Sequence, residues 1–148
     1  MINGISHACL YVLDQDSAKE FYTQKLGFDV LVDMQMGAGF EGAGEGFRWL
    51  TVSPAGRPET QFILADCGMG HDAETTEQVR SLVAKGALGT SVLTTDDCRA
   101  TFREFESRGV VFLSEPAERP YGIEAVFRDD SGNTFSLTQA FASMQAGA

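Results

Sequence analysis

The sequence predicts an α+β fold in which two tandem βαβββ modules form a curved mixed sheet around a cleft. The order strand, capping aspartate, helix, glycine and strand occurs twice, and Asp14 and Gly27 of the first half align with Asp96 and Gly109 of the second. A polar turn between two alternating runs at residues 120–138 predicts a closing hairpin. Because one such unit can bury only one face of its sheet, the two modules should share a core.

In the first module, alternating side chains predict a strand over residues 5–13. Asp14 or Asp16 then offers an N-cap for a helix whose apolar spacing continues to Gly27. The glycine-rich stretch at residues 36–46 is interpreted as a loop or hairpin tip, because neither a Lys-Ser/Thr pair nor a helix follows it as in a phosphate-binding loop. Further strands are predicted at residues 28–34, 47–52 and 60–65.

The connecting segment predicts a helix that is capped by Thr75 or Thr76 and ends at Gly86. The second module begins with a strand and a helix capped by Asp96 or Asp97. Its strands are predicted at residues 88–95, 110–114, 123–128 and 134–138. The expected organisation is therefore a first module at 1–66, a linker with a helix at 67–86, a second module at 87–140 and a C-terminal tail at 141–148.

Charge and composition exclude several classes of partner. The formal net charge of -10 leaves no basic stripe to neutralise nucleic-acid or anionic membrane phosphates. No apolar run approaches the roughly 20 residues of a membrane-spanning helix, and the N-terminal residues do not have the pattern of a signal peptide. Cys9, Cys67 and Cys98 have no paired spacing, so we expect reduced thiols in a cytoplasmic protein.

Four motifs carry a resemblance to a known family: His7-x-x-x-Tyr11-Val12-x-Asp14, Ala18-x-x-Phe21-Tyr22-x-x-x-Leu26-Gly27-Phe28, Arg108-Gly109-Val110 and Asp129-x-x-Gly132-Asn133-x-x-Ser136-Leu137. Together with the repeated βαβββ order, they resemble the vicinal oxygen chelate superfamily. That superfamily includes glyoxalase I, extradiol dioxygenases, fosfomycin-resistance proteins and bleomycin-resistance proteins. The resemblance implies a strand-lined cleft, usually within a homodimer. It does not fix an activity, because activity depends on a few side chains in the cleft.

Metal-using members of this superfamily hold one divalent ion at four positions. Carried over by position, these are His7, Gln61 or Ile63, Gly89 and Ser136. Glycine has no donor side chain and a serine hydroxyl is a poor ligand, so too few ligands remain for a bound divalent metal. We therefore expect no cofactor. A divalent metal remains an alternative, with His7, Gln61 and Glu124 as weak candidates and with Glu59 or His71 as other residues that could rebuild a site.

Glu124 lies in an otherwise apolar predicted strand. A carboxylate there is costly unless it faces a wet cavity or pairs with Arg119 or Arg128. Aromatic side chains could form the apolar wall of a pocket for a flat molecule, although strand aromatics are more often core: Phe40, Phe47, Trp49 and Tyr121. The candidate ligand-binding residues are His7, Trp49, Gln61, Tyr121, Glu124 and Ser136.

The sequence thus favours a metal-free, small-molecule binding protein of the bleomycin-resistance type, in which a homodimer sequesters an organic ligand between modules. The alternative is a lyase, isomerase or dioxygenase with a rearranged site in which His7 and Glu124 are the candidate catalytic residues. A purely structural dimer module is a third reading. For His7, a hydrogen-bonded core position is an equal alternative to a role in the cleft. A Cys9–His7 nucleophile is disfavoured, because the two side chains are about 7 Å apart along one strand.

Overall fold

The computed structural model describes residues 1–37 and 46–144. The strands are β1 His7–Val12, β2 Asp29–Met36, β3 Phe47–Ser53, β4 Gln61–Asp66, β5 Thr90–Thr94, β6 Val111–Arg119, β7 Gly122–Arg128 and β8 Thr134–Ala140. The α-helices are α1 Gln15–Glu20, α2 Ala73–Ala84 and α3 Cys98–Ser107, and a 3-10 turn covers Ala142–Met144. Residues 38–45, which include Phe40 and most of the glycine-rich stretch, lie outside the described residues, as do residues 145–148 of the tail.

The strands form two four-stranded sheets with the same topology, in the orders β1-β4-β3-β2 and β5-β8-β7-β6. In each sheet the first strand runs parallel to the fourth, and the other neighbours are antiparallel. Both sheets are curved and neither closes into a barrel. The predicted α+β class and the tandem βαβββ order are therefore confirmed.

The two module helices begin after predicted capping aspartates and end before the predicted glycines, Gly27 and Gly109. Asp14 caps α1 by accepting a hydrogen bond from the Ser17 amide, and Asp97 caps α3 through the Ala100 amide. The first helix continues beyond α1 as a π-helical turn over Phe21–Lys25.

The connecting helix begins earlier than predicted. Its N-cap is Asp72, whose Oδ1 accepts a hydrogen bond from the Thr75 amide at 2.7 Å, so the expected Thr75 or Thr76 cap is wrong. That bond also lowers the pKa of the Asp72 carboxyl below its usual range. Thr76 lies inside the helix and its hydroxyl donates to the Asp72 carbonyl oxygen.

A single apolar core joins residues of both sheets with residues of the helices that pack on them. Phe62 of β4 and Phe135 of β8 meet edge to face with ring centroids 6.3 Å apart, and the Tyr22 ring lies equally close to Phe135. Residues of both modules complete the cluster: Leu10, Val12, Ala18, Phe21, Leu26, Leu50, Val52, Leu64, Cys98, Val110, Ala125, Phe127 and Leu137. Because side chains alternate along a strand, the neighbours of Phe62 and Phe135 point away from this core, onto what we call the outer faces of the two sheets.

The polar turn between β7 and β8 joins the modules. Asp129 is buried, and its Oδ1 accepts hydrogen bonds from the backbone amides of Ser131, Gly132 and Asn133. Its Oδ2 accepts from the Tyr22 hydroxyl at 2.7 Å and from the Asn133 side-chain amide at 2.9 Å. The Tyr22 bond therefore connects the two modules by a charge-assisted hydrogen bond, and the other bonds to Asp129 fix the turn itself.

No helix in the described part of the chain is both long enough and apolar enough to cross a membrane.

Candidate functional site

The predicted site residues separate into two groups on the outer faces of the two sheets. His7, Trp49 and Gln61 belong to the first sheet, whereas Glu124 and Ser136 belong to the second. Core side chains flank them along each strand, such as Phe62 beside Gln61 and Phe135 beside Ser136. Within one chain, the two groups are therefore placed on faces that point away from the shared core.

The first half-site is the outer face around His7, Trp49 and Gln61. His7 of β1 is in register with Gln61 of β4, so their side chains are neighbours. The His7 and Trp49 rings approach to a centroid distance of 5.9 Å, and Phe47 extends the aromatic surface with its ring 6.4 Å from Trp49. His7 is half-buried and its Nδ1 lies 2.9 Å from the Ser6 hydroxyl. This surface suits contact with an apolar ring.

Below these rings, the middle of the first sheet carries smaller side chains. Register places Cys9, Ile63 and Thr51 side by side on the outer face. Cys9 is exposed as a residue, but its sulfur is partly buried, and this burial raises the thiol pKa. A raised pKa does not favour a reactive thiolate. Sequence reasoning did not identify Thr51 or Ser53 as site residues, because nothing in a strand pattern shows whether a buried hydroxyl has a partner.

The second half-site is the outer face around Glu124, Ser136 and Tyr121. The Ser136 hydroxyl donates to Glu124 Oε2 at 2.6 Å, and the Thr138 hydroxyl lies 2.8 Å from Ser136 Oγ. A hydrogen bond with Glu124 raises the pKa of Tyr121. Glu124 is therefore a hydrogen-bonded carboxylate on a face that is open beside it, since the Tyr121 side chain is exposed.

The ion pair considered for Glu124 is weak. Arg119 Nε lies 3.9 Å from Glu124 Oε1, and about half of the Arg119 side chain is exposed. The Glu124 side chain is only 18% exposed. An exposed pair at this distance contributes little stability, so the ion pair alone does not account for a largely buried carboxylate in this strand.

Of the weak metal candidates, His7 and Gln61 are neighbours, but Glu124 lies on the other sheet, so the three do not meet within one chain. Histidine, cysteine and acidic side chains form no group of three that could hold a metal ion in the described part of the chain. Of the residues that could have rebuilt a site, Glu59 is exposed and lies 3.8 Å from Arg57, and the His71 ring packs on Tyr11 at a centroid distance of 5.4 Å.

A groove of about 820 Å³ lies beside the second half-site. It runs between the β3–β4 connection of the first module and the β5 edge of the second, and Thr138 lines it. Phe28, Val92 and Phe105 contribute apolar walls, whereas Thr94 and Asp96 contribute polar groups. Its size is within the range of pockets for small organic ligands.

Comparison with known proteins identifies the family. Residues 4–137 match the family model described as the glyoxalase/bleomycin resistance protein/dioxygenase superfamily. An uncharacterised protein of Bacillus subtilis (strain 168), YetH, is 32% identical over 139 residues, which are 94% of this chain and 100% of the relative.

Two solved structures are similar throughout. UcmS2 is 48% identical with a TM-score of 0.85, and the match covers 95% of this chain and 100% of that chain. TnmS3, an antibiotic-binding protein from Streptomyces sp. CB03234, is 31% identical with a TM-score of 0.71, over 95% of this chain and 98% of that one. With the family model spanning nearly all of the sequence, the chain belongs to the glyoxalase/bleomycin resistance protein/dioxygenase superfamily.

Proposed function

We propose that this protein binds a flat organic molecule without a metal and acts by sequestering it. The observation that carries the proposal is the presence in one chain of an aromatic surface at His7 and Trp49 and a hydrogen-bonding surface at Glu124 and Ser136. An apolar wall with a few polar groups is the usual composition of a small-molecule site. The similarity to TnmS3, which is described as antibiotic-binding, supports an antibiotic-like ligand.

The proposed binding unit is a homodimer. The two half-sites lie on outer faces that point away from one core, so one chain does not close a cleft between them. A second copy can place its Glu124 face opposite the Trp49 face of the first. Apolar side chains on both faces are open to such pairing, since Val92 is 63% exposed and Met34 is 55% exposed. Two-fold symmetry would then produce two equal clefts.

An enzyme is the second candidate. The short bond between Ser136 and Glu124 would let the carboxylate act as a base toward a substrate that displaces the serine hydroxyl. His7, on the other outer face, would join it only across a dimer. Product formation from a bound compound, abolished in Glu124→Gln with folding unchanged, would favour this candidate over sequestration.

The proposal is tested first by native mass spectrometry of chelator-free protein together with elemental analysis. A metal-free dimer that takes up the flat aromatic ketone 9-fluorenone, and releases it unchanged, is the expected result. One divalent ion per chain would contradict metal-free binding. A monomer that binds with unchanged affinity on dilution would contradict the dimeric cleft.

Mixed dimers give a sharper test. Trp49→Ala damages the first half-site and Glu124→Gln damages the second. In a dimer containing one chain of each kind, one cleft receives both substitutions and the other receives neither. With 2-hydroxyfluorenone, whose hydroxyl can donate to Glu124, both variants should bind weakly, and mixing them should restore tight binding at about half of the sites in mixed dimers. No recovery would contradict a cleft shared between chains.

A further inference from the structure

Two buried hydroxyl groups beneath the first half-site have no partner. Thr51 is fully buried and Ser53 is 1% exposed. Among the described residues, neither Thr51 Oγ1 nor Ser53 Oγ makes a hydrogen bond. Buried hydroxyls almost always have partners, because an unmet group loses its bonds to water without replacement. Two such groups two positions apart on one strand therefore require an explanation.

Their position connects them with the His7–Trp49 ring contact. Thr51 and Ser53 lie on the same face of β3 as Trp49, because they follow it at alternate positions. Thr51 is in register with Ile63 of β4. Ile63 lies midway between Gln61, which pairs with His7, and Ala65, which the antiparallel register places beside Trp49. The two rings must lean across this middle row to approach within 5.9 Å. Thr51 thus belongs, with Cys9 and Ile63, to the row of the sheet beneath the two rings, and Ser53 follows it along β3.

We propose that Thr51 and Ser53 recognise the oxygen of a flat aromatic carbonyl compound that separates the His7 and Trp49 rings. This inference rests on the proposed function, because it assigns specificity within the first half-site. A ring inserted beneath the indole gains stacking contact, and its carbonyl oxygen accepts the hydrogen bonds that the Thr51 and Ser53 hydroxyls do not make within the described residues. A hydrocarbon of the same shape would leave both hydroxyls unpaired and would be bound less tightly.

The sole tryptophan of the chain, Trp49, makes this site directly measurable, because intrinsic tryptophan fluorescence reports on no other position. The probes are 9-fluorenone and fluorene, which share one planar skeleton and differ in the carbonyl oxygen. The wild-type protein should bind fluorenone more tightly than fluorene. Thr51→Val, which keeps the side-chain shape, should weaken fluorenone binding by about threefold to tenfold and leave fluorene binding unchanged. Ser53→Ala should act in the same direction.

A stability measurement separates recognition from a structural role. Because the Thr51 hydroxyl has no partner to lose, Thr51→Val should leave the melting temperature of the ligand-free protein unchanged or raise it. The matched control is Thr101→Val, which removes a hydroxyl bonded to Thr95 and to the Asp97 carbonyl oxygen and should lower the melting temperature.

The outcomes distinguish this inference from the proposed function. A fluorenone preference that persists in both variants, or a wild type that binds both probes equally, would overturn the role of the hydroxyls while leaving binding established. A fall in the melting temperature of Thr51→Val as large as that of the control would show a structural hydroxyl and also overturn it. A wild type that binds neither probe would contradict the proposed function, and this inference with it.

Discussion

The hydroxyl of Tyr22 in the first module donates a hydrogen bond of 2.7 Å to the carboxylate of Asp129 in the second. Both groups are buried, and the carboxylate accepts four further hydrogen bonds from amide groups of its own turn. Burial, together with the neighbouring carboxylate, raises the pKa of Tyr22 well above its usual value, so the phenol stays protonated and continues to donate. The contact between the modules thus includes a directed polar bond as well as apolar packing.

Replacing Tyr22 with phenylalanine should lower the free energy of unfolding by about 1.5–3 kcal/mol, the range for hydrogen bonds to charged groups. The ring contacts with Phe135 remain, so the loss measures the hydroxyl alone. Urea denaturation gives the value. Tyr11→Phe is the matched control, because no hydrogen bond is made by its hydroxyl within the described residues, and its effect should be under about 0.5 kcal/mol. Equal losses in the two variants would contradict the assigned role.

Stability should depend on pH through Asp130. Partial burial raises the pKa of this carboxyl, but the residue is exposed and a bond from the Ser17 hydroxyl opposes the shift, so solvent screening keeps the effect on stability small. A raised carboxyl pKa means that ionisation costs folding stability as the pH rises through the folded-state pKa. Asp130→Asn should therefore melt higher than wild type near pH 7, and the difference should shrink at about pH 3.

Asp33 provides a control of opposite sign. Hydrogen bonds from Arg48 and Lys19 lower its pKa, so its ionised form stabilises the fold above the unfolded-state pKa. Asp33→Asn should melt lower than wild type near pH 7, and that gap should narrow as the pH falls below about 4. The same pH trend in both variants would show that neither carboxyl behaves as its surroundings indicate.

Gly132 should tolerate no side chain. Its φ of +121° is unfavourable for other residues, and an added Cβ would lie 2.3 Å from the Val83 carbonyl oxygen at the end of α2. Gly132→Ala should cost more than about 2 kcal/mol of unfolding free energy, because strain and a backbone collision add together. Gly56→Ala is the matched control, since its φ is +73° but nothing lies within 4 Å of the added Cβ. A cost equal to that of Gly56→Ala in thermal or urea unfolding would contradict the close contact.

Glu124 should select ligands that carry a hydrogen-bond donor. A carboxylate accepts but does not donate, and a ligand hydroxyl can replace the Ser136 bond. Glu124→Gln should reduce the affinity for 2-hydroxyfluorenone by about tenfold and change fluorenone binding little, as titrated by Trp49 fluorescence. Glu118→Gln, an exposed neighbour on β6, is the control of equal charge change. An equal loss in both variants would indicate a general effect of charge instead of a contact.

Several elements could be predicted because their signals are local. Asp14 and Asp97 are among the expected caps, and the alternation predicted for the strand at residues 5–13 agrees with Leu10 in the core and His7 outside it. Local signals failed where tertiary pairing decides the outcome. The sequence predicts a strand at 110–114, yet β6 continues to Arg119 past Pro116. A shift in register between Ser114 and Ala117 spares the proline from supplying a ladder hydrogen bond.

The candidate site was harder to predict than the fold. Period-two alternation shows which residues of a strand share a face, but it does not show what lies opposite that face. Phe62 and Phe135 turn out to share one core, which directs Gln61 and Ser136 outward on different sheets. Likewise, the partner of Glu124 could not be chosen between Arg119 and Arg128 until pairing placed the carboxylate beside Ser136.

The opposite orientation of core and outer faces has an evolutionary consequence. Residues that fix the fold, such as Phe135 and Asp129, do not share a face with Trp49, Gln61 or Glu124. Substitutions on the outer faces can therefore alter which compound is held without opening cavities in the core. Under the proposed function, lineages could exchange ligand specificity in a few steps while the chain keeps folding. The same scaffold is thus a suitable starting point for laboratory selection of binders to other flat compounds.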